Sequence, residues 1–300
     1  MSSLETLREV INSKSHEIAF IIGNGINRFK GQGQISSWND LLIGLWTKVY
    51  GNTLNKIPSG ISFTEFYDLL ELGQTNGDQE LNLQKEFCEP LSRWKHGSHH
   101  NTITRTAMSL DIPILTTNFD SLLSKAGKLD FFRFKEEPFT HFYPWGCYYS
   151  NRRLISPSSG FGIWHINGMM KYHRSIRLGL SQYMGSVERA RKIIHKEMKE
   201  SLFSGKNVRD WRGRFTWLHL VFNRSLFVFG LGLEESEVFL RWLLIERAKY
   251  FKKFPSRKKN GWYVCKKKTQ NAGRELFLRK LGFDYVMVDN YNDIYKRLWT

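Results

Sequence analysis

Four short polar segments hold the residue types that can do chemistry in this sequence. The first is Gly23-Asn24-Gly25-Ile26-Asn27. Glycines let a backbone approach a phosphate, and a helix starting just behind them offers free N–H groups. A hydride-transfer fingerprint asks for a third glycine where Arg28 stands. It also asks for an acid about 20 residues further on, and none falls in place there. The segment reads either as a phosphate cradle or as a glycine turn of any α/β protein. The second segment is Thr116-Thr117-Asn118-Phe119-Asp120. Polar groups directly behind an apolar run are costly unless they bind something; the other reading is an Asx-type cap on the next helix. The third holds His165 and Asn167. An imidazole with an ordinary pKa of about 6.5 suits proton transfer near neutrality, though a lone His at a strand end is more often structural. The fourth, Gly230-Leu231-Gly232-Leu233-Glu234, repeats the glycine pattern and also reads as a simple turn.

Each segment closes an apolar run: 18–22, 112–117, 162–166 and 226–229. Continuous apolar runs of this length read as buried parallel strands. Residues 262–265 and 285–288 make two more. Ser2 and Glu5 have the spacing of a capping box, which predicts a first helix. Helical patterns at 38–49 and 63–72 predict a helical insertion over about 38–107. Further helices are expected from Ser121 and over about 187–202, 236–251 and 292–298, while 131–162 reads as irregular and aromatic. The expectation is an α/β chain, one domain over 1–300. Its sheet is mainly parallel, of about six strands, with helices on both faces. In open sheets of this kind ligands bind outside the carboxyl ends of the strands.

The composition bounds the class. With 22 Phe, 12 Tyr and 10 Trp in 300 residues, the chain is not a disordered tail. No apolar run approaches the roughly 18 residues of a membrane span, and the first residues are not a signal peptide. Cys88, Cys147 and Cys265 form no CxxC pair, which excludes a four-cysteine zinc ribbon. An odd number of cysteines without a secretion signal points to reduced thiols and a cytoplasmic location. The net charge of +17 hints at an anionic partner but says nothing of fold.

Taken in order, strand–GxGxN, strand–TTNxD, strand–His/Asn-Gly and strand–GxGL resemble the sirtuin-like (silent information regulator type) family, in its bacterial defence-associated branch. Trp38-Asn39-Asp40-Leu41-Leu42 and Leu178-Gly179-Leu180-Ser181-Gln182-Tyr183 support the likeness, which runs from Glu17 to Val288. The resemblance implies a Rossmann-like fold that takes NAD as substrate and needs no metal. Gly23, Gly25 and Asn27 would hold the NAD phosphates, with Asn24, Ile26 and Thr117 also in the NAD site. Asn118 would lie by the nicotinamide ribose, with Asp120 near the nicotinamide end. Gly230 and Gly232 would face the adenosine half. One departure stands out. The family usually has His-Gly after the third strand, whereas this sequence reads His165-Ile166-Asn167-Gly168. Aligned on the glycine, the usual base becomes Asn167. His165, two residues earlier, shares its face by strand alternation.

The expected activity is NAD glycohydrolysis, the NAD-depleting step of an anti-phage defence system. The zinc module of deacylating sirtuins has no counterpart here. Nicotinamide leaves as a neutral molecule, so positioning and electrostatics would supply most of the rate. Nearly all of the 300 residues fall in the sirtuin-like part, so control is expected in trans, by a sensor protein or by oligomerisation. In related systems the partner is Argonaute-like, an ATPase or nucleotide pyrophosphatase-like. Two other readings compete. One is a sensor that binds NAD or ADP-ribose without cleaving it, motivated by Asn167. The other is a nucleic-acid-binding subunit, motivated by ten Lys/Arg and no acid over 247–268. His96, His99 and His100 cluster like metal ligands but lack an acidic or Cys partner at the required spacing, and are expected in a polar loop. The aromatic stretch 141–149 reads as a lid or as packing.

Overall fold

A computed structural model describes residues 3–29, 37–74, 81–196, 200–204 and 210–300. The chain opens with α1 (Ser3–Ser13), β1 (Ile18–Ile22) and a single turn, α2 (Gly25–Arg28). Four helices follow: α3 (Trp38–Tyr50), α4 (Phe63–Leu72), α5 (Leu83–Ser92) and α6 (Ser98–Ser109). Then come β2 (Ile114–Thr116), α7 (Leu122–Gly127), β3 (Asp130–Arg133), β4 (Cys147–Ser150) and β5 (Ile163–His165). The second half runs α8 (Leu180–Arg191), α9 (Leu218–Asn223), β6 (Ser225–Phe229), α10 (Val238–Lys253), β7 (Gly261–Lys266), α11 (Ala272–Lys280), β8 (Phe283–Val288) and α12 (Tyr291–Tyr295).

The described strands form one eight-stranded sheet in the order β3-β4-β5-β2-β1-β6-β7-β8. Every pair from β5 across to β8 is parallel, and β4 pairs antiparallel with both of its neighbours. The alternation of β1 shows how the layers form. Ala19 and Ile21 point into a core with α8, α9, α10 and α11. Ile18, Phe20 and Ile22 point into a second core with α1, α6 and α12. A strand apolar on both faces needs a helical layer on each. Helices α3, α4 and α5 bury their own apolar cluster against Phe119, Leu122, Ile176 and Leu178. Capping boxes at Ser37/Asp40 and Ser62/Glu65 start α3 and α4.

The sheet has two more strands than expected. The stretch 131–162, with Asp130 just before it, holds β3 and β4, an edge hairpin whose rings pair across it, Phe131 with Tyr149 and Phe132 with Tyr148. Four residues are too few for alternation to show. The second strand is shorter than 112–117 because Pro113 has no N–H to give to a ladder. The basic helix begins earlier, at Leu180, and passes at Lys192–Lys196 into a π turn. Ser2, the expected first cap, lies outside the described residues. No described helix is long and apolar enough to cross a membrane.

The amino ends of β6 and β7 are tied by Arg247 of α10, which is 1% exposed. Its guanidinium donates to the carbonyls of Val221, Arg224, Lys259 and Asn260 at 2.9 to 3.2 Å, and burial pushes its pKa down to about 9. Replacing it with Met leaves buried carbonyls unpaired. Arg247→Met should lower stability by about 2–4 kcal/mol in urea unfolding, without changing ligand binding at the opposite end of the sheet.

Candidate functional site

Strands β5, β2, β1 and β6 are neighbours and parallel, so the four polar segments that follow them emerge side by side. The chain leaves β1 toward β2 on one side and later returns to β6 on the other. The crevice at such a reversal is where open α/β sheets bind ligands. A cleft of about 640 Å³ lies there. Asn24, Gly25, Thr117, Gly230 and Gly232 line it, with Lys266 and Arg274 on the far wall. A smaller extension is lined by Asn167, Arg177 and Tyr183. Trp38, Phe63, Thr117, Ser236 and Glu237 line both parts, so the two form one continuous groove.

The glycines are explained first by each other. Gly25 N–H donates to the Gly230 carbonyl at 2.7 Å. A Cβ on Gly23 would stand 2.6 Å from the Gly230 oxygen, and one on Gly25 would stand 2.8 Å from it. Gly230 itself has a φ of 67°, a left-handed conformation that favours glycine. The far side of the β6 loop is held by Tyr263 Oη, which donates to Leu231 O at 2.5 Å. Arg274 donates to Gly232 O at 2.6 Å.

Asn27 turns away from the cleft into a closed network. Its Nδ2 donates to Asn24 Oδ1 at 2.9 Å and to Asp120 Oδ2 at 2.7 Å. Its Oδ1 lies 3.0 Å from His100 Nε2. His100 Nδ1 accepts from Gly97 N–H, so Nε2 carries the proton and donates to Asn27. Burial, with His99 and His96 nearby, pushes the His100 pKa down to about 3, which keeps the ring neutral. His99 Nε2 lies 2.8 Å from Ile26 O. Asp120 Oδ1 accepts from Leu122 N–H at 2.9 Å, so both carboxylate oxygens are engaged, and burial raises its pKa.

Asn118 is 2% exposed. Its N–H donates to Thr116 Oγ1 at 3.1 Å, its Nδ2 reaches Gly23 O at 3.4 Å, and its Oδ1 is buried with no partner among the described residues. His165 Nδ1 donates to the Asn118 carbonyl at 2.7 Å, and its ring meets Tyr149 edge-on. Burial pushes the His165 pKa down to about 4. Asn167 Oδ1 is also buried with no partner among the described residues, and its side chain lies near Glu237, whose pKa it pulls down.

The structure thus splits the expected site residues. Asn24, Gly25, Thr117, Asn167, Gly230 and Gly232 line the groove. Gly23, Ile26, Asn27, Asn118, Asp120 and His165 stand behind it. His99 and His100 are not in a polar loop; they are buried on the first turn of α6. The signal for this was the spacing His99, Ile103, Ala107, one turn apart on a buried face. Glu237, Trp38 and Phe63 also reach the groove, through chain folding that no local pattern reveals. In the stretch 141–149, Trp145 and Tyr148 are in the core while His141 and Phe142 are exposed, and none of its residues is among those lining the groove. The groove is glycine-lined along Gly25, Gly230 and Gly232, with Asn167 in its extension, and aromatic and aliphatic side chains such as Trp38, Phe63 and Leu231 complete its walls. Neither a protein-family model nor a curated protein matches the sequence.

Gly25 and Gly44 should respond oppositely to a methyl group. Gly44 is exposed on α3 with nothing within 4 Å of an added Cβ, so Gly44→Ala should stabilise by about 0.5–1 kcal/mol. Gly25→Ala forces the two loops apart and should cost about 1–3 kcal/mol. Thermal melting of both variants checks this.

Proposed function

We propose that the chain is a sirtuin-like NAD glycohydrolase with a Rossmann-like fold, cleaving NAD to nicotinamide and ADP-ribose as the NAD-depleting effector of a defence system. The observation that carries this is the convergence of the GNG, TTNFD, ING and GLG segments on one groove at the reversal beside β1. Read along the sheet, the parallel strands β5-β2-β1-β6-β7-β8 follow the 3-2-1-4-5-6 order of dinucleotide-binding sheets. The groove volume falls within the roughly 300–1,000 Å³ of small-molecule sites.

In this reading the adenosine and diphosphate lie along Gly25, Gly230 and Gly232, and the nicotinamide ribose lies toward Thr117 and Asn167. Gly25 N–H is already used by Gly230, so the diphosphate relies on the side chains lining that end, Lys266 among them. Nicotinamide is a cationic pyridinium in NAD and leaves neutral, so no general acid is required. The site has to orient the ribose, favour an oxocarbenium-like centre and deliver water. Asn118, whose carbonyl oxygen just behind Thr117 has no partner among the described residues, is assigned to hold a ribose hydroxyl or that water once the groove is filled. His165 acts on Asn118 through its backbone and fixes its place. The reaction is cytoplasmic in this reading, and its control is by a partner protein or by self-association.

One observation favours a second reading, a sensor that binds NAD or ADP-ribose without cleaving it. The imidazole is buried and neutral, and an amide occupies the base position. The nucleic-acid reading loses ground to geometry. Strand β7 divides the basic run, with Arg247 to Lys259 at the amino ends of the strands and Lys266 to Lys268 at the carboxyl ends. Lys266 lines the groove itself, so the run is neither continuous nor wholly remote from the site.

The test is incubation of the chain with NAD, alone and with the proteins of neighbouring genes, following nicotinamide and ADP-ribose. Asn118→Ala should abolish nicotinamide release and leave the melting temperature close to that of the parent. If that variant hydrolyses NAD like the parent, Asn118 is misassigned. Stabilisation of the parent by NAD with no release under any of these conditions would establish the sensor instead.

A further inference from the structure

Resting on the NAD-cleavage reading, one question about this groove stays open: which group receives the proton of the attacking water. His165 spends Nδ1 on the Asn118 carbonyl and does not line the groove. Asp120 has both oxygens engaged behind it. Two acidic residues do line the groove, Glu234 and Glu237. Glu234 is 58% exposed and sits 3.5 Å from Arg274.

Glu237 differs. It precedes the first turn of α10 without capping it, and it lines both parts of the groove where they meet. Its Oε2 is buried and has no partner among the described residues. The Asn167 side chain lies near the carboxyl and pulls its pKa down, while Asn167 Oδ1 is buried, has no partner among the described residues and belongs to a residue on the wall of the same extension. Both residues line that extension, and their two acceptor oxygens suit a water molecule, which offers two O–H donors.

We propose that Glu237 is the general base of this site, with Asn167 holding its carboxyl and helping to orient the attacking water. In the step, the water oxygen bonds to the ribose C1′ as the C1′–N bond breaks. The electron pair of that bond passes to the pyridinium nitrogen and gives neutral nicotinamide. The water proton goes to the Glu237 carboxylate and from there to solvent, so one proton is released per ADP-ribose formed. Asn167 is then a positioning residue in the place where the family usually has a histidine.

The acid–base properties of Glu237 agree with this. Burial raises its pKa to about 7, the Asn167 side chain pulls it down, and Glu234 pushes it up. Among the described residues, Tyr183 of α8 and Arg177 before that helix line the same extension, and Arg241 stands one turn along α10. Arg177 is engaged with Ser186, and Arg241 with the Leu233 carbonyl at 2.9 Å. Below about pH 7 the carboxyl is protonated and unable to act.

The experiment is nicotinamide release from NAD by the full chain, with its activating partner if one is needed, across about pH 5 to 9. For the parent, kcat/KM should rise about tenfold per pH unit in the acid limb and level off near the Glu237 pKa. Glu237→Gln should lose roughly 10²–10⁴-fold in kcat, with a flat acid limb and little change in KM. Glu235→Gln, an exposed neighbour, should match the parent. A second measurement does not depend on turnover. A carboxyl whose folded pKa is raised loses stability as pH rises from its unfolded to its folded pKa. Glu237→Gln should therefore melt above the parent at alkaline pH, the difference closing in acid. If Glu237→Gln keeps both the rate and the acid limb of the parent, Glu237 is not the base, while NAD cleavage stands. If the parent releases no nicotinamide, the cleavage reading fails and the base assignment with it.

Discussion

The contact on which the rest of this site depends is one backbone hydrogen bond, Gly25 N–H to the Gly230 carbonyl. Strands β1 and β6 pair in parallel from Ile18 with Ser225 to Ile22 with Phe229, and the ladder continues beyond them through Gly23 N–H to Phe229 O. Neighbouring loops normally diverge at this point. Here they stay in contact because no Cβ stands between them. A hydrogen bond of this kind contributes only about 1 kcal/mol net, but the close approach it closes is geometric and admits no side chain. It sets where Asn24 and Asn27 fall, and through Asn27 it sets the reach to His100 of α6 and Asp120 of the β2 loop.

Two kinds of buried polar group follow from that geometry. The Asn27–His100–Asp120 set is complete: each donor meets an acceptor, and the imidazole is kept neutral because His100 is buried. Such a network gives the loops one arrangement. Asn118 Oδ1, Asn167 Oδ1 and Glu237 Oε2 are the opposite, buried acceptors without donors among the described residues. Each such group costs about 1–3 kcal/mol of desolvation when left unpaired. Asn167 and Glu237 bring two of these acceptors to the groove lining, and Asn118 holds the third just behind it.

Much of the architecture was legible because it is written locally. A five-residue run such as Ile18–Ile22 is buried on both faces, and continuous apolarity is its direct signature. The glycine and asparagine segments after β1, β2, β5 and β6 were legible for the same reason. The edge hairpin of β3 and β4 was not: its residues are aromatic but short in register, and pairing across a turn of more than a dozen residues leaves no period to read. His99 and His100 misled because two polar side chains suggested solvent. Their partners, Ile26 O and Asn27 Oδ1, lie more than seventy positions away. The glycines at 23 and 25 suit either a phosphate cradle or a turn by sequence, and part of the room they leave is filled by the neighbouring loop.

The sequence by itself determined an alternation of buried strands and helices, with polar segments at the strand ends, since burial and periodicity are properties of neighbouring residues. Only the tertiary structure decided that four of those segments lie side by side, and which side chains face the groove. Strand order is set by long crossovers and by helical layers on both faces, and a side chain's direction at a strand end depends on the loop packed against it. That is why Asn167 and Thr117 reach the groove wall while His165 and Asp120, equally polar and as close in sequence to a strand end, became its support. It is also why Glu237, which no motif marks, stands where the two parts of the groove meet.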